Sequence, residues 1–217
     1  MHALTLIALL LLPAPAVPSP VAQAPVMQQP AAQPQVEVRK LFEAGKYQEL
    51  VQKAPDAIKA NEGAKASIQY MAAQSYQKLG QWDEVRKVYK DLAARDVKDP
   101  WHYIGLSGEA LVAHNNTAAL DAGMKAVDLG PDNPYAYYQL GMAFSLKPDF
   151  AKAANAFQKA ALLDPTFAYA HYYAAMSYYK LKRIDLMATH FEAFLKLAPN
   201  APERPQVESI MRTVRGG

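Results

Sequence analysis

Five histidines, His2, His102, His114, His171 and His190, are the side chains of this sequence best suited to metal ligation or general-base work. A metal chelated along one helix needs ligands three to five residues apart, and none of these pairs has that spacing. Each is therefore expected to be a satisfied or surface imidazole. The chain has no cysteine, which excludes a thiol nucleophile, a Cys-type zinc site, an iron-sulfur cluster and a disulfide framework. No GxSxG, GxGxxG or P-loop occurs. Gly105 and Gly108 in Ile-Gly-Leu-Ser-Gly-Glu resemble a phosphate loop only superficially, because they fall inside a predicted helix, where they mark close packing or local weakness. Glu109, Asp121 and Asp128 are scattered, with no spacing that pairs them for acid-base catalysis. The chemistry left is recognition, not turnover, with no cofactor and no metal expected.

The residues equipped for recognition are aromatic: 13 Tyr, 7 Phe and 2 Trp in 217 residues. Tyrosine and tryptophan offer large rigid contact area and a polar tip at low entropic cost. The formal charge of +3 is small and spread along the chain, so nucleic acid is not an expected partner. The Arg86-Lys87 and Lys182-Arg183 pairs and the arginines of the C-terminal tail are accounted for by solvated faces.

The elements that must position these rings begin only after an unusual leader. The first 36 residues contain no Asp, Glu, Lys or Arg. An apolar run from Ala3 to Leu12 has the length of a signal-peptide core, half of what a spanning helix needs. Prolines 13, 15 and 18 end any helix there, and Ala14-Pro15-Ala16 supplies the small residues a signal peptidase reads. The expectation is a signal peptide over 1–16, cleavage before Val17 and an exported, periplasmic or secreted product that meets the membrane only through the transient signal. The usual positive n-region is missing, which leaves a short membrane anchor or a chance apolar leader as alternatives. Residues 17–35, rich in Pro, Ala and Gln, cannot bury enough apolar surface to offset chain entropy and are expected to form an extended tether.

From Val36 the composition shifts to Ala, Tyr, Leu and Lys with helical periodicity, and it repeats. Leu129-Gly130-Pro131, Leu163-Asp164-Pro165 and Leu197-Ala198-Pro199 place proline every 34 residues, the period of a paired-helix solenoid unit. In residues 134–167, Tyr137, Leu140, Gly141 and Phe144 share one face of a first helix, and Ala153, Phe157 and Ala160 form the facing stripe of a second. Gly141 lets the second helix approach, so large side chains on one helix meet small ones on the other. Pro165 ends the second helix, and Asp164 or Thr166 is placed to cap the next.

These residues, with Phe150 and Pro165, resemble the tetratricopeptide repeat (TPR) consensus at each signature position, Tyr137 standing where Trp is usual. Residues 168–201 repeat the scheme with His171, Ala174, Ala175, Tyr178, Ile184, Met187, Phe191, Phe194 and Pro199. Residues 66–99 and 100–133 are degenerate versions, and 36–65 is a partial one in which Gly45 and Tyr47 align with Gly80 and Trp82. After these, Val207, Ile210, Met211 and Val214 form an amphipathic stripe in 202–217 expected to cap the solenoid's apolar end. The expected fold is all-α: a right-handed α-solenoid of about five TPR-like helix-turn-helix repeats with a C-terminal capping helix.

The resemblance implies a concave face lined by the first helix of each pair at unit positions 2, 5, 9 and 12. Position 2 holds Ser67, Trp101, Tyr135 and Tyr169; position 5 holds Tyr70, Ile104, Tyr138 and Tyr172; position 9 holds Gln74, Gly108, Met142 and Met176; position 12 holds Gln77, Leu111, Ser145 and Tyr179. The candidate protein-binding residues are therefore Tyr70, Trp101, Ile104, Tyr135, Tyr138, Met142, Tyr169, Tyr172, Met176 and Tyr179. The opposing reading is that neighbouring units, the tether or another copy cover these rings. The Lys and Asn with which the family's chaperone-binding members grip a C-terminal carboxylate are missing from these positions. The expected function is a non-enzymatic scaffold binding a peptide or helix of a protein partner, with self-association open. A structural part of an envelope or secretion assembly, or a glycan- or lipid-binding protein, are the alternatives.

Overall fold

The computed structural model describes residues 34–215. The expected signal segment and most of the expected tether lie outside them. Among the described residues the chain forms α-helices in antiparallel pairs. The pairs are α1 (Pro34–Glu43) with α2 (Tyr47–Ala60), α3 (Lys65–Lys78) with α4 (Trp82–Ala93), α5 (Pro100–Val112) with α6 (Asn116–Leu129), α7 (Pro134–Leu146) with α8 (Phe150–Leu163), and α9 (Ala168–Lys180) with α10 (Ile184–Leu197). A short 3₁₀ turn, Glu62–Ala64, links the first two pairs, and α11 (Arg204–Arg215) closes the series. Each helix packs against its sequence neighbours, the arrangement of an α-solenoid. Pro34 and Gln35, expected in the tether, form the first turn of α1, where the locked φ of proline suits the helix start.

Helix starts follow from local chemistry. The side chains of Asp99 and Asn133 accept from the amides of Trp101 and Tyr135, with Pro100 and Pro134 in the first turn. Asn115 and Asp149 do the same for Ala118 and Lys152. Asp164 behaves differently from the expected cap of α9: it accepts from Thr166 within its own loop and from Arg39 on α1, and Phe167 starts the helix without a side-chain cap. The turn inside each pair also recurs. Gly45, Gly80, His114 and Lys182 stand at equivalent places with φ of 71°, 72°, 56° and 58°. The fourth pair carries Pro148 there, and proline cannot adopt positive φ, so that turn closes by another route through Lys147.

Packing uses the large-on-small scheme. A Cβ at Gly141 would lie 2.7 Å from the Phe157 ring. At Gly105 it would lie 2.4 Å from the Ala93 backbone nitrogen, and at Gly108 it would lie 2.3 Å from the Tyr89 ring. These two glycines therefore serve close packing between α4 and α5. Val207 and Met211 of α11 are buried in the main core, with Ile210 and Val214 half-buried against it, as the capping stripe requires.

The first and last pairs also meet. The Phe42 ring lies 4.9 Å from that of Tyr169. Lys78 and the Tyr169 hydroxyl both donate to Glu203, at 3.0 and 2.7 Å, just ahead of α11. A Cβ on Gly45 would reach Pro202 at 2.5 Å.

Candidate functional site

Positions 2, 5, 9 and 12 share one helix face, but the structure divides that face along its length. At positions 2 and 5, Tyr70, Ile104, Tyr135, Tyr138, Tyr169 and Tyr172 are buried, Tyr138 retaining 3% exposure, and Trp101 is half-buried. Tyr138 stacks on Phe167 at 4.9 Å and meets Phe157 and Tyr173 edge-on at 5.5 and 5.7 Å. Tyr70 meets Tyr135 at 5.6 Å, and Trp101 lies 5.2 Å from Tyr135. Tyr172 packs on Phe194 at 5.1 Å. These residues were expected to line an open groove; they form core instead, because Tyr70 and Tyr138 press into the pairs that follow, while Tyr169 and Tyr172 pack on Phe194 of their own pair and Tyr169 also on Phe42 of α1.

The buried tyrosines need partners for their hydroxyls, and Tyr70 shows how one is supplied. It donates to Gln139 Oε1 at 2.7 Å, and Gln139 lies fully buried with its Nε2 3.5 Å from Ser107 Oγ, which donates to the Ala119 carbonyl. This polar chain ties α3, α5, α6 and α7 together through the middle of the stack. Burial raises Tyr138 and Tyr70 far above the ordinary phenol range, so both are neutral groups and not acid-base catalysts.

Positions 2 and 5 of the fourth and fifth pairs are covered in addition by α1. By the alignment of Gly45 with Gly80, Arg39 and Phe42 occupy positions 9 and 12 of the first pair. The Arg39 guanidinium donates to Asp164 Oδ2 at 2.6 Å, Thr166 Oγ1 at 3.1 Å and Tyr135 Oη at 2.9 Å, and lies 5.6 Å above the Phe167 ring. Burial alone would raise the Asp164 pKa; the Thr166 hydroxyl and Arg39 outweigh it and hold the group below its usual range. Only about 20 Å³ of space is left between Arg39, Phe42, Tyr70, Tyr138 and Tyr169, too little for another ligand beyond one water. One α1 group fits poorly: Glu43 Oε1 is buried without a hydrogen-bond partner. Burial raises the Glu43 pKa to about 7, despite the opposing pull of Arg39 and the Ala168 amide.

The other half of the face is open. At positions 9 and 12, Gln74, Leu111, Met142, Ser145 and Met176 are half-buried and Gln77 is exposed, as is Tyr179 at 39%. A cavity of about 380 Å³ opens among Gln74, Gln77, Leu111, Met142 and Leu146, walled by Trp82, Arg86 and Tyr89 of α4 and floored by Gly108 and Gln139. Its lining is mostly apolar, with amides and one guanidinium at the rim, a composition suited to an extended peptide or the edge of a helix. Trp82 stands 45% exposed beside it. Of the expected binding residues the cavity gathers Met142; Met176 and Tyr179 remain accessible outside it. Gln74, Gln77 and Leu111 were readable as inner positions, whereas Trp82, read only as a repeat position aligned with Tyr47, and Arg86, read as part of a solvated face, lie on a second helix and were not expected to bind.

Two histidines distant in sequence meet. His171 Nδ1 and His190 Nδ1 are 3.1 Å apart, with Tyr178 stacked on His190. Burial lowers both pKa values, His190 to about 4 with help from the neighbouring imidazole, so the pair is neutral at pH 7 and one ring donates to the other. Among the described residues no cluster of three or more His, Cys, Asp or Glu could hold a metal ion, and no helix is long and apolar enough to cross a membrane.

Comparison with known proteins agrees with this architecture. Two family models, both described as tetratricopeptide repeat, match residues 68–96 and 169–201, and residues 134–167. A thermophilic TPR protein of Thermus thermophilus superposes with a TM-score of 0.58 at 22% identity, covering 82% of this chain and 98% of its own. The first TPR of Spaghetti (RPAP3), bound to an HSP90 peptide, gives 0.50 at 19% identity over 56% of this chain and 97% of that one. YrrB, a TPR protein with an unusual peptide-binding site, gives 0.46 at 18% identity over 78% and 88%. No curated protein matches the chain.

Proposed function

For a chain that carries tetratricopeptide repeats, we propose a role as a scaffold that binds a peptide or helix of a partner protein in the open part of its inner face. The observation that carries this reading is the cavity between α3, α4, α5 and α7, where Leu111, Met142 and Leu146 present apolar surface beside the exposed ring of Trp82. Such a surface is accessible without unfolding, and methionine adapts to varied side chains. The similar Spaghetti (RPAP3) structure holds an HSP90 peptide. Here Tyr138, Met142, Tyr172 and Met176 replace the charged and amide side chains that would grip a terminal carboxylate, so recognition rests on apolar side chains of the partner. Export remains part of the proposal, on the strength of the Ala3–Leu12 run and the Ala14-Pro15-Ala16 site; N-terminal sequencing of the secreted product would find Val17 first.

The test is selection of a displayed random-peptide library on the chain, followed by titration of the selected peptides with the two tryptophans as reporters. A Trp101→Phe background leaves Trp82 alone to report. The reading predicts saturable Trp82 shifts that Met142→Lys or Leu111→Lys weakens by tenfold or more while helicity is kept. Peptides that bind both variants as well as the parent would place recognition elsewhere.

A further inference from the structure

The contacts of α1 describe a socket that is more specific than helix packing requires. Its polar wall is made by Asp164, Thr166 and Tyr135, all accepting from one guanidinium, and its floor by the Phe167 ring. Three residues further along α1, Phe42 meets Tyr169 edge-to-face. Arginine and an aromatic residue three apart lie on one helix face, so a single helix turn makes both contacts. The remaining α1 residue turned toward the socket, Glu43, is the misfit, with its Oε1 buried and unpartnered.

We infer that this socket is a recognition site for a helix bearing arginine and, three residues later, an aromatic ring, and that α1 is the chain's own displaceable occupant of it. The inference rests on the reading of the chain as a peptide-binding repeat protein and adds a second site to it. The ligand is a partner helix, not the α1 of a second copy: an identical helix gains nothing over one already tethered at high effective concentration. A competing helix wins by supplying the same Arg and aromatic contacts with a neutral residue where α1 has Glu43, because it leaves no buried carboxylate oxygen unsatisfied. The short connection Ala44-Gly45-Lys46, with Gly45 at φ 71°, is the pivot about which α1 leaves.

The probe is a fluorescein-labelled helical peptide of residues 34–46, as the natural sequence and as its Glu43→Gln form, titrated into the full chain and into an Arg39→Ala, Phe42→Ala chain whose own α1 is weakened. The double variant is expected to bind the natural peptide at least about tenfold tighter than the parent, and the Glu43→Gln peptide tighter again. Adding Asp164→Lys should remove binding at least tenfold, and a peptide carrying Arg39→Glu should restore it. If the double variant is not folded by circular dichroism, the Arg39→Lys chain, which keeps the charge but loses the forked geometry, takes its place with the same expectations. A folded variant that binds neither peptide, binding indifferent to Asp164→Lys, or dimerisation of the parent by α1 exchange in light scattering would overturn the inference. Met142→Lys is expected to leave this titration unchanged, which separates failure of the socket from failure of the cavity.

Discussion

Tyr138 and Met142 stand one turn apart on α7 and belong to the same inner face, yet they live in different environments. Tyr138 is sealed among Phe157, Phe167 and Tyr173, while Met142 borders a cavity of about 380 Å³. On the inner face of the second to fifth pairs positions 2 and 5 are core, with Trp101 half-buried, and positions 9 and 12 are more open apart from Gly108; in the first pair Phe42, at position 12, is buried. A helix face read from spacing is thus a statement about direction, not about coverage. What covers it depends on how tightly successive pairs wind, and here the first pair reaches across to the fourth and fifth.

Forcing the sealed region apart by adding volume should have a large effect. Gly105→Leu places atoms where the Ala93 backbone already lies, 2.4 Å from the new Cβ, and α4 cannot yield as a flexible side chain would. A loss of about 3 kcal/mol, seen as a lower urea midpoint, is expected. Gly80→Ala, with nothing within 4 Å of its Cβ but a φ of 72°, should cost only about 1 kcal/mol, from backbone strain alone.

Two buried sites near the N-terminal half of α9, Glu43 beside Ala168 and the His171–His190 pair, should respond to pH with opposite sign. Glu43 has a folded pKa of about 7 against an ordinary 4.5. Its contribution is fully present below 4.5 and is lost as pH rises through about 7. The His171–His190 pair has depressed values, His190 about 4 against 6.5, so its contribution is present above 6.5 and fades as pH falls toward 4. Urea midpoints measured from pH 4 to pH 8 should fall on both flanks. Glu43→Gln should flatten the alkaline flank alone, and His190→Gln the acid flank alone. If either substitution leaves its flank unchanged, burial of that group is overstated.

The smallest effect lies at the turns, where His114 and Lys182 hold positive φ without being glycine. Replacing Lys182 by Gly should stabilise by about 0.5 kcal/mol, the relief of left-handed strain less the entropy of glycine. The gain would show as a small rise in the urea midpoint.

The repeat architecture was legible because it is written in short-range terms. Pro131, Pro165 and Pro199 mark the period, and pairs such as Gly141 with Phe157 fix how two neighbouring helices meet. The α11 stripe and the close-packing role of Gly105 and Gly108 follow from the same local logic. The division of the inner face was not legible, since it is decided by contacts such as Arg39 with Asp164, 125 residues apart. A trace of it was present: counting back from Gly80 to Gly45 puts Arg39 and Phe42 at inner positions of the first pair. The meeting of His171 and His190, 19 residues apart, depends on the register between α9 and α10, which helical spacing within one helix does not convey.

The most direct measurement compares thermal melting of Tyr138→Lys with that of Met142→Lys. A charge placed at Tyr138 is buried without a partner and should cost about 4 kcal/mol, lowering the melting temperature by about 10 °C or more. The same charge at Met142 extends into the cavity and should shift melting by less than about 2 °C. Equal and large losses would make the cavity wall core, and equal and small ones would open the aromatic ladder along its whole length. Either result would contradict the division of the inner face.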